Sequence, residues 1–248
     1  MKTCNIKDCT VNFFIVVLCY YLVVLLHEWS HGLMAWLYGY KPSPFDIKYG
    51  GWLLLHTDEH VPYNAILSSH HGMRAALIGI AGFTYNSLML AISLLCMTRE
   101  SILNNVLTHK FFYWFAVFNL FPVFSYVPNL VFSSQGDIGR FVSGMQISPW
   151  IIFIPGTIIV LCLLKYVLNY CRQRLVGSLN IMNIWTKRTY LWFSIFVIFF
   201  MIYTHGYNPF SDVGALPITK WIAATSILMG VCLLYILDPK RDKTTANA

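Results

Sequence analysis

The feature that constrains this chain most is an apolar run of membrane-spanning length that contains three ionisable side chains. Residues 13–26 are apolar or aromatic, they lead directly into His27, Glu28 and His31, and the apolar pattern resumes over residues 32–38. A run of this length is typical of a helix that crosses the ~30 Å hydrocarbon core of a bilayer. Because ionisable groups inside such a helix are energetically costly, they indicate a functional site.

The composition assigns the rest of the chain to the same class. Of 248 residues, 57% are hydrophobic and 11% are charged, with a mean hydropathy of +0.60. An ordinary soluble domain has about 25% charged residues. Further apolar stretches that could each form a span are 73–97, 111–132, 150–169, 190–204 and 217–237. We predict an all-α polytopic membrane protein with about six transmembrane helices, in the cell membrane if the source is prokaryotic.

The segment between the first two spans predicts a short β-hairpin. Pro42 and Pro44 stop the helix, residues 45–49 alternate, and Gly50-Gly51 separates them from a second short run, 52–56. A hairpin beside the ionisable residues could accept an extended substrate by strand addition. A connecting loop packed at the membrane surface is the alternative interpretation.

The ionisable residues form the motif His27-Glu28-Trp29-Ser30-His31. Histidines four residues apart lie on one helix face, so both imidazoles can bind a single tetrahedral Zn²⁺. The glutamate between them can reach a metal-bound water as general base. The motif therefore predicts a zinc site that hydrolyses peptide bonds inside the membrane.

A zinc ion held by two histidines needs a third protein ligand. Asp137 follows the third predicted span and is the only acidic residue between Glu100 and Asp212. We predict that Asp137 is this ligand. His70 and His71, at the start of the second span, are the competing candidates.

Two further predicted spans each contain an amide side chain. Gly82 and Asn86 lie four positions apart, hence on one helix face, where a glycine permits close helix approach and an amide can hydrogen-bond across the contact. Asn119 precedes Pro122, a proline that is expected to break the third span. Each feature alone is ordinary in a membrane helix.

Together, these elements resemble the site-2 protease family of intramembrane zinc metalloproteases. That family has HExxH in one core helix, Gly-x-x-x-Asn in the next, and Asn-x-x-Pro followed by Asp-Gly in the third, and the resemblance covers roughly residues 11–145. It implies roles for six side chains: the zinc ligands His27, His31 and Asp137, the water-activating Glu28, and Asn86 and Asn119, which hold or polarise the substrate.

The chain departs from the family pattern in its third element. The family has its aspartate soon after the proline, whereas here residues 125–136 intervene, and Ile138 replaces the usual glycine after Asp137. An insertion is the simplest explanation.

The resemblance suggests a division into a protease core, 1–145, and a second part, 146–248, of additional transmembrane helices and a short tail. The expected partners are the lipid bilayer and a membrane-protein substrate with a transmembrane helix. Substrate gating must come from the spans, the hairpin or a separate regulatory protein. The net charge of +7 does not indicate nucleic acid, because the basic residues lie in short connections between spans.

Two other classes of protein remain as alternatives. A proteolytically inactive zinc-binding membrane protein that captures transmembrane partners would bind zinc without needing Glu28. A zinc or proton transporter would need polar groups distributed through several helices, and the last three predicted spans contain almost none.

Overall fold

The structure is a computed structural model, and it describes four stretches of the chain: 6–54, 57–179, 183–206 and 217–239. The described residues are mostly helical, as the predicted all-α class requires. Eleven α-helices lie in these stretches: α1 (Ile6–Leu37), α2 (Tyr63–Ser68), α3 (Gly72–Gly79), α4 (Ala81–Cys96), α5 (Glu100–Leu103), α6 (Val106–Phe124), α7 (Asp137–Met145), α8 (Trp150–Lys165), α9 (Arg172–Ser178), α10 (Ile184–Gly206) and α11 (Pro217–Ile236). Two π-helical segments, Ser125–Leu130 and Tyr166–Cys171, continue α6 and α8.

Four stretches of the described residues are long and apolar enough to cross a membrane. They are Asp8–Leu37, Gly72–Cys96, Val106–Leu130 and Trp150–Ser178. The prediction of a helical membrane-spanning chain is thus supported, but the predicted number of six spans is not. Helices α10 and α11 lie where the last two spans were predicted, and neither is among the four. The apolar part of α11 is short, covering Ala224–Ile236.

The third span is the central helix of the described structure. In its most apolar stretch of 18 residues, 83% of the residues are buried, whereas the corresponding value for the first span is 11%. Helix α6 packs against α1, α4 and α10, and aromatic side chains such as Tyr113, Trp114 and Phe124 fill these contacts. A helix that is apolar on all sides is expected in such a buried position.

Pro122 does not break the third span, contrary to the sequence-based expectation. Helix α6 continues to Phe124, and the chain then widens into the π-helical segment Ser125–Leu130. A π-helical turn can absorb the missing hydrogen bond of a proline by shifting the register of the bonds that follow it. The third span therefore extends beyond the proline before the chain turns toward α7.

The described residues do not support the predicted β-hairpin, and the last two positions of its second run, 55 and 56, lie outside them. Within the described residues there is one antiparallel bridge, in which Lys48 and Asp58 exchange two backbone hydrogen bonds of 2.9 Å. Gly50, Gly51 and Leu54 adopt positive φ values of 63°, 89° and 54°. These left-handed conformations turn the chain where the second strand was predicted, so two extended segments cannot pair there.

Residues 41–54 and 57–60, named here the return loop, run back along α1 toward the middle of the first span. The Phe45 ring contacts the edge of Trp29, with ring centroids 5.2 Å apart, and the Tyr20 hydroxyl donates to the Leu53 carbonyl at 2.6 Å. The two contact points on α1, Tyr20 and Trp29, are nine residues apart, about 13.5 Å at 1.5 Å per residue. Irregular backbone at this depth is tolerated where it packs against protein.

Helix α7 lies close to α3 because both helices have glycines at their contact. A Cβ atom added to Gly72 would lie 2.7 Å from the Gly144 carbonyl oxygen, and one added to Gly79 would lie 2.7 Å from Cβ of Arg140. Distances this short show that a larger side chain at either position would separate the helices. The close packing holds α7 against α3, and the first residue of α7 is Asp137.

Candidate metal centre

The two histidines of the motif face each other on α1. His27 and His31 lie one helical turn apart, and their Nε2 atoms are 3.3 Å from each other. Both side chains are buried, with 6% and 1% of their surface exposed. The spacing of four residues therefore directs both imidazoles to one point inside the protein, as predicted.

Asp137 completes a group of three potential ligands. Its Oδ1 lies 3.3 Å from Nε2 of His31 and its Oδ2 lies 3.5 Å from Nε2 of His27. One potential ligand atom from each residue lies within 4.8 Å of the other two, so the group could hold a metal ion. The competing candidates His70 and His71 are exposed and belong to no such group among the described residues.

The chain between Pro122 and Asp137 shows how the displaced aspartate reaches the histidines. After the π-helical segment the chain turns back, and Gly136, with a φ of 77°, directs it into α7. A Cβ atom on Gly139 would lie 2.9 Å from the carbonyl carbon of Ser133, so this glycine lets the turn cross over α7. Ile138 is buried and packs in the small core beneath the turn, which accounts for an apolar residue beside the ligand.

The donor atoms suit a metal ion. Two imidazole nitrogens and one carboxylate are a common ligand set for zinc and other divalent metals. Oδ2 of Asp137 is buried and has no hydrogen-bond partner in the structure. A Cβ atom on Gly82 would lie 2.6 Å from Cε1 and 2.7 Å from Nε2 of His27, so the glycine keeps open the space between the imidazoles.

The ionisation of Asp137 follows from its neighbours. Burial acts to raise the pKa of this carboxyl, but the adjacent imidazoles of His31 and His27 outweigh it and hold the pKa below its usual range. The side chain is therefore an ionised carboxylate, which is the form that binds a cation.

Glu28 lies on α1 between the two histidines. Its side chain is half-buried, and Oε2 is buried without a hydrogen-bond partner. A carboxylate oxygen that lacks a protein partner is free to interact with water or a substrate. This position agrees with the base predicted from the motif, while the role itself stays a prediction.

Asn86 and Asn119 are both completely buried, next to the histidines. Asn86 accepts a hydrogen bond at Oδ1 from Nδ1 of His27, and its Nδ2 donates to Oδ1 of Asn119 at 3.0 Å. Asn119 in turn donates to the Phe115 carbonyl at 2.8 Å. The structure thus connects both predicted substrate-binding amides to His27, a predicted metal ligand.

A buried ion pair next to the centre was not recognised in the sequence. Arg140, one turn after Asp137 on α7, pairs with Glu59 of the return loop, and its guanidinium lies 3.9 Å from the Tyr63 ring centroid. Lys41 donates to the Glu59 carbonyl. Burial acts to raise the pKa of Glu59, but the neighbouring His31 imidazole and Arg140 guanidinium outweigh it and lower the pKa. The only available signal was the three-residue spacing between Asp137 and Arg140.

A second unrecognised residue is Tyr126 of the π-helical segment. Its ring stacks on the imidazole of His27, with centroids 5.8 Å apart and planes within 7°. No sequence pattern distinguishes it from the other aromatic residues of the third span.

Comparisons with protein-family models, with curated proteins and with solved structures found no match for this chain.

Proposed function

We propose that this chain is a multi-pass membrane protein that uses zinc to hydrolyse peptide bonds in the transmembrane segments of other membrane proteins. The observation that carries the proposal is the buried group of His27, His31 and Asp137, with Glu28 beside it on an apolar helix. The resemblance to the site-2 protease family supports the same function.

The proposed roles follow from the chemistry of each side chain. His27, His31 and Asp137 would hold the zinc ion. When bound, zinc supplies a Lewis acid for water and for a peptide carbonyl. Glu28 accepts a proton from the attacking water at its carboxylate and returns it to the nitrogen of the leaving amine. The unpartnered Oε2 of Glu28 leaves the carboxylate available for both transfers.

The proposed substrate is a transmembrane segment with helix-weakening residues. A helix hides its carbonyls in internal hydrogen bonds, so the cleaved bond must lie in an unwound stretch. The return loop lies alongside the motif and carries exposed apolar side chains such as Trp52. This surface could contact a substrate that approaches through the lipid.

The test is to co-express the protein with a panel of single-span substrates and compare it with Glu28→Gln. We expect the variant to lose cleavage and to keep about one zinc per chain, because Glu28 acts on water rather than on the metal. Glu100→Gln is the matched control, because Glu100 is exposed at the start of α5. Full cleavage by Glu28→Gln would refute the proposal.

Zinc binding without cleavage by the wild-type protein would instead favour the inactive zinc-binding protein that captures transmembrane partners. In that case Glu28→Gln would leave partner capture unchanged, whereas a change in the ligand His31 would reduce zinc content. Measuring zinc and cleavage on the same samples distinguishes the two functions.

A further inference from the structure

A chain of hydrogen bonds leads from His27 into the core of the protein. It runs from Nδ1 of His27 through the side chains of Asn86 and Asn119 to the backbone carbonyl of Phe115. Both asparagines have no exposed surface. The chain connects α1, α4 and α6 at the level of the proposed metal ion.

The direction of every bond in this chain is determined by its last member. The oxygen and nitrogen of an asparagine amide are normally hard to tell apart, so the assignment depends on their partners. The Phe115 carbonyl can only accept, so Nδ2 of Asn119 donates to it and Oδ1 faces Asn86. Nδ2 of Asn86 must then donate to that oxygen, and its own Oδ1 faces His27.

The consequence concerns the tautomer of His27. Because Oδ1 of Asn86 can only accept, Nδ1 of His27 carries the hydrogen and Nε2 keeps its lone pair. Nε2 is the atom that points toward His31 and Asp137. The hydrogen-bond chain thus selects the tautomer that a metal ligand requires.

We propose that Asn86 and Asn119 are positioning residues that orient His27 as a metal ligand, rather than the substrate-binding residues implied by the family resemblance. The inference rests on the metal-binding part of the proposed function. Hydrogen bonds from the outer nitrogen of a metal-bound histidine set its ring orientation and raise its basicity. Asn119 acts on His27 only through Asn86.

The other histidine receives the same support from the backbone. Nδ1 of His31 donates to the carbonyl of Ile78 in α3 at 2.7 Å. The orientation of His31 is therefore set by the fold, whereas that of His27 depends on two replaceable side chains. Substitution of the asparagines should affect one ligand and leave the other in place.

The test measures zinc affinity by chelator competition on the purified full chain. We expect Asn86→Leu to weaken zinc binding by about ten- to a hundredfold, the usual effect of removing such a partner. Asn86→Asp should weaken zinc binding less than Asn86→Leu does, because its carboxylate still accepts from Nδ1 of His27 although it can no longer donate to Oδ1 of Asn119. The control is Asn12→Leu. Oδ1 of Asn12 accepts hydrogen bonds from Trp114 and Tyr190, and neither bond involves the histidines.

A double variant tests whether the two asparagines act in series. Asn86→Leu with Asn119→Leu should bind zinc no more weakly than Asn86→Leu alone, because the effect of Asn119 passes through Asn86. Independent roles would instead make the two losses add. Additive losses would therefore overturn the proposal.

Two other results would also overturn it. One is unchanged zinc affinity in Asn86→Leu together with a raised KM for cleavage, which would restore the substrate-binding role. The other is a loss of zinc affinity in Asn86→Asp that is as large as the loss in Asn86→Leu. A wild-type protein that binds zinc but cleaves no substrate would refute the protease function alone, because these measurements require no cleavage.

Discussion

Gly82 is the residue on which the geometry of the metal centre depends most directly. Any side chain at this position would enter the space between the two imidazoles. We expect Gly82→Ala to weaken zinc binding, because overpacking costs about 1–3 kcal/mol and each 1.4 kcal/mol is about tenfold in affinity. Chelator competition measures the change.

The matched control for this substitution is Gly177→Ala. A Cβ atom on Gly177 would meet nothing within 4 Å, so zinc affinity should stay at the wild-type value. Equal affinities for Gly82→Ala and the wild type would show that the metal does not occupy the space between the imidazoles.

Asp137 supplies the only carboxylate in the three-residue group. We expect Asp137→Ala to lower zinc occupancy and cleavage together, because two histidines alone leave the ion with too few protein ligands. Zinc content of the purified protein, measured after dialysis, checks this prediction.

The variants His70→Ala and His71→Ala serve as controls for the ligand assignment. Both histidines are exposed, and Nδ1 of His71 lies 3.0 Å from the Tyr40 hydroxyl. Their removal should leave zinc occupancy unchanged. A full complement of zinc in Asp137→Ala would disprove the assignment of Asp137.

At the scale of whole elements, the Glu59–Arg140 ion pair ties the return loop to α7. Removing one member of a fully buried pair typically costs about 3–5 kcal/mol, and the cost is smaller here because the Arg140 side chain is 19% exposed. We expect Glu59→Gln and Arg140→Gln each to lower the thermal unfolding temperature in detergent. The unfolding temperature of the double variant should fall by less than the sum of the two single decreases, because the double variant leaves no unpaired charge.

Exposed residues of the same types provide the controls for the ion pair. Glu100→Gln and Arg74→Gln change the same charges at exposed positions and should leave the unfolding temperature nearly unchanged. Strictly additive effects of the Glu59 and Arg140 substitutions would show that the two side chains stabilise the protein independently.

At the scale of the whole molecule, the orientation in the membrane can be tested. Assigning the basic residues to alternate sides puts 12 with the termini and 5 opposite, which favours cytoplasmic termini and places His31 toward the other face. The family resemblance instead suggests an active site nearer the cytoplasm. We follow the resemblance, because the charge excess rests mainly on residues 165–188.

Cysteine labelling from outside the cell checks the orientation. A cysteine at Pro42, which is exposed at the start of the return loop, should react weakly with a membrane-impermeant reagent in a background without native cysteines. A cysteine at the exposed Glu100, beyond the second span, should react strongly. The reverse pattern would place the metal centre nearer the outside.

Much of the site could be predicted because it depends on local geometry. The pair His27 and His31 needs only helical spacing, and Asp137 was reached by elimination among few acidic residues. The described residues do not support the predicted β-hairpin, because alternation does not reveal the left-handed conformations of Gly51 and Leu54 that turn the chain. The ion pair of Glu59 joins residues 81 positions apart, so no local pattern indicates it.

The sequence by itself determined the helical class, the apolar character of the spans and the placement of two histidines and a glutamate on one helix. These properties follow from composition and from a period of 3.6 residues, which act over a few turns of chain. The tertiary structure alone decided that Asp137 closes the group, that Asn86 hydrogen-bonds to both His27 and Asn119, and that Gly82 leaves room between the imidazoles. Each of these depends on how separate helices pack, and packing distances are set by the whole molecule.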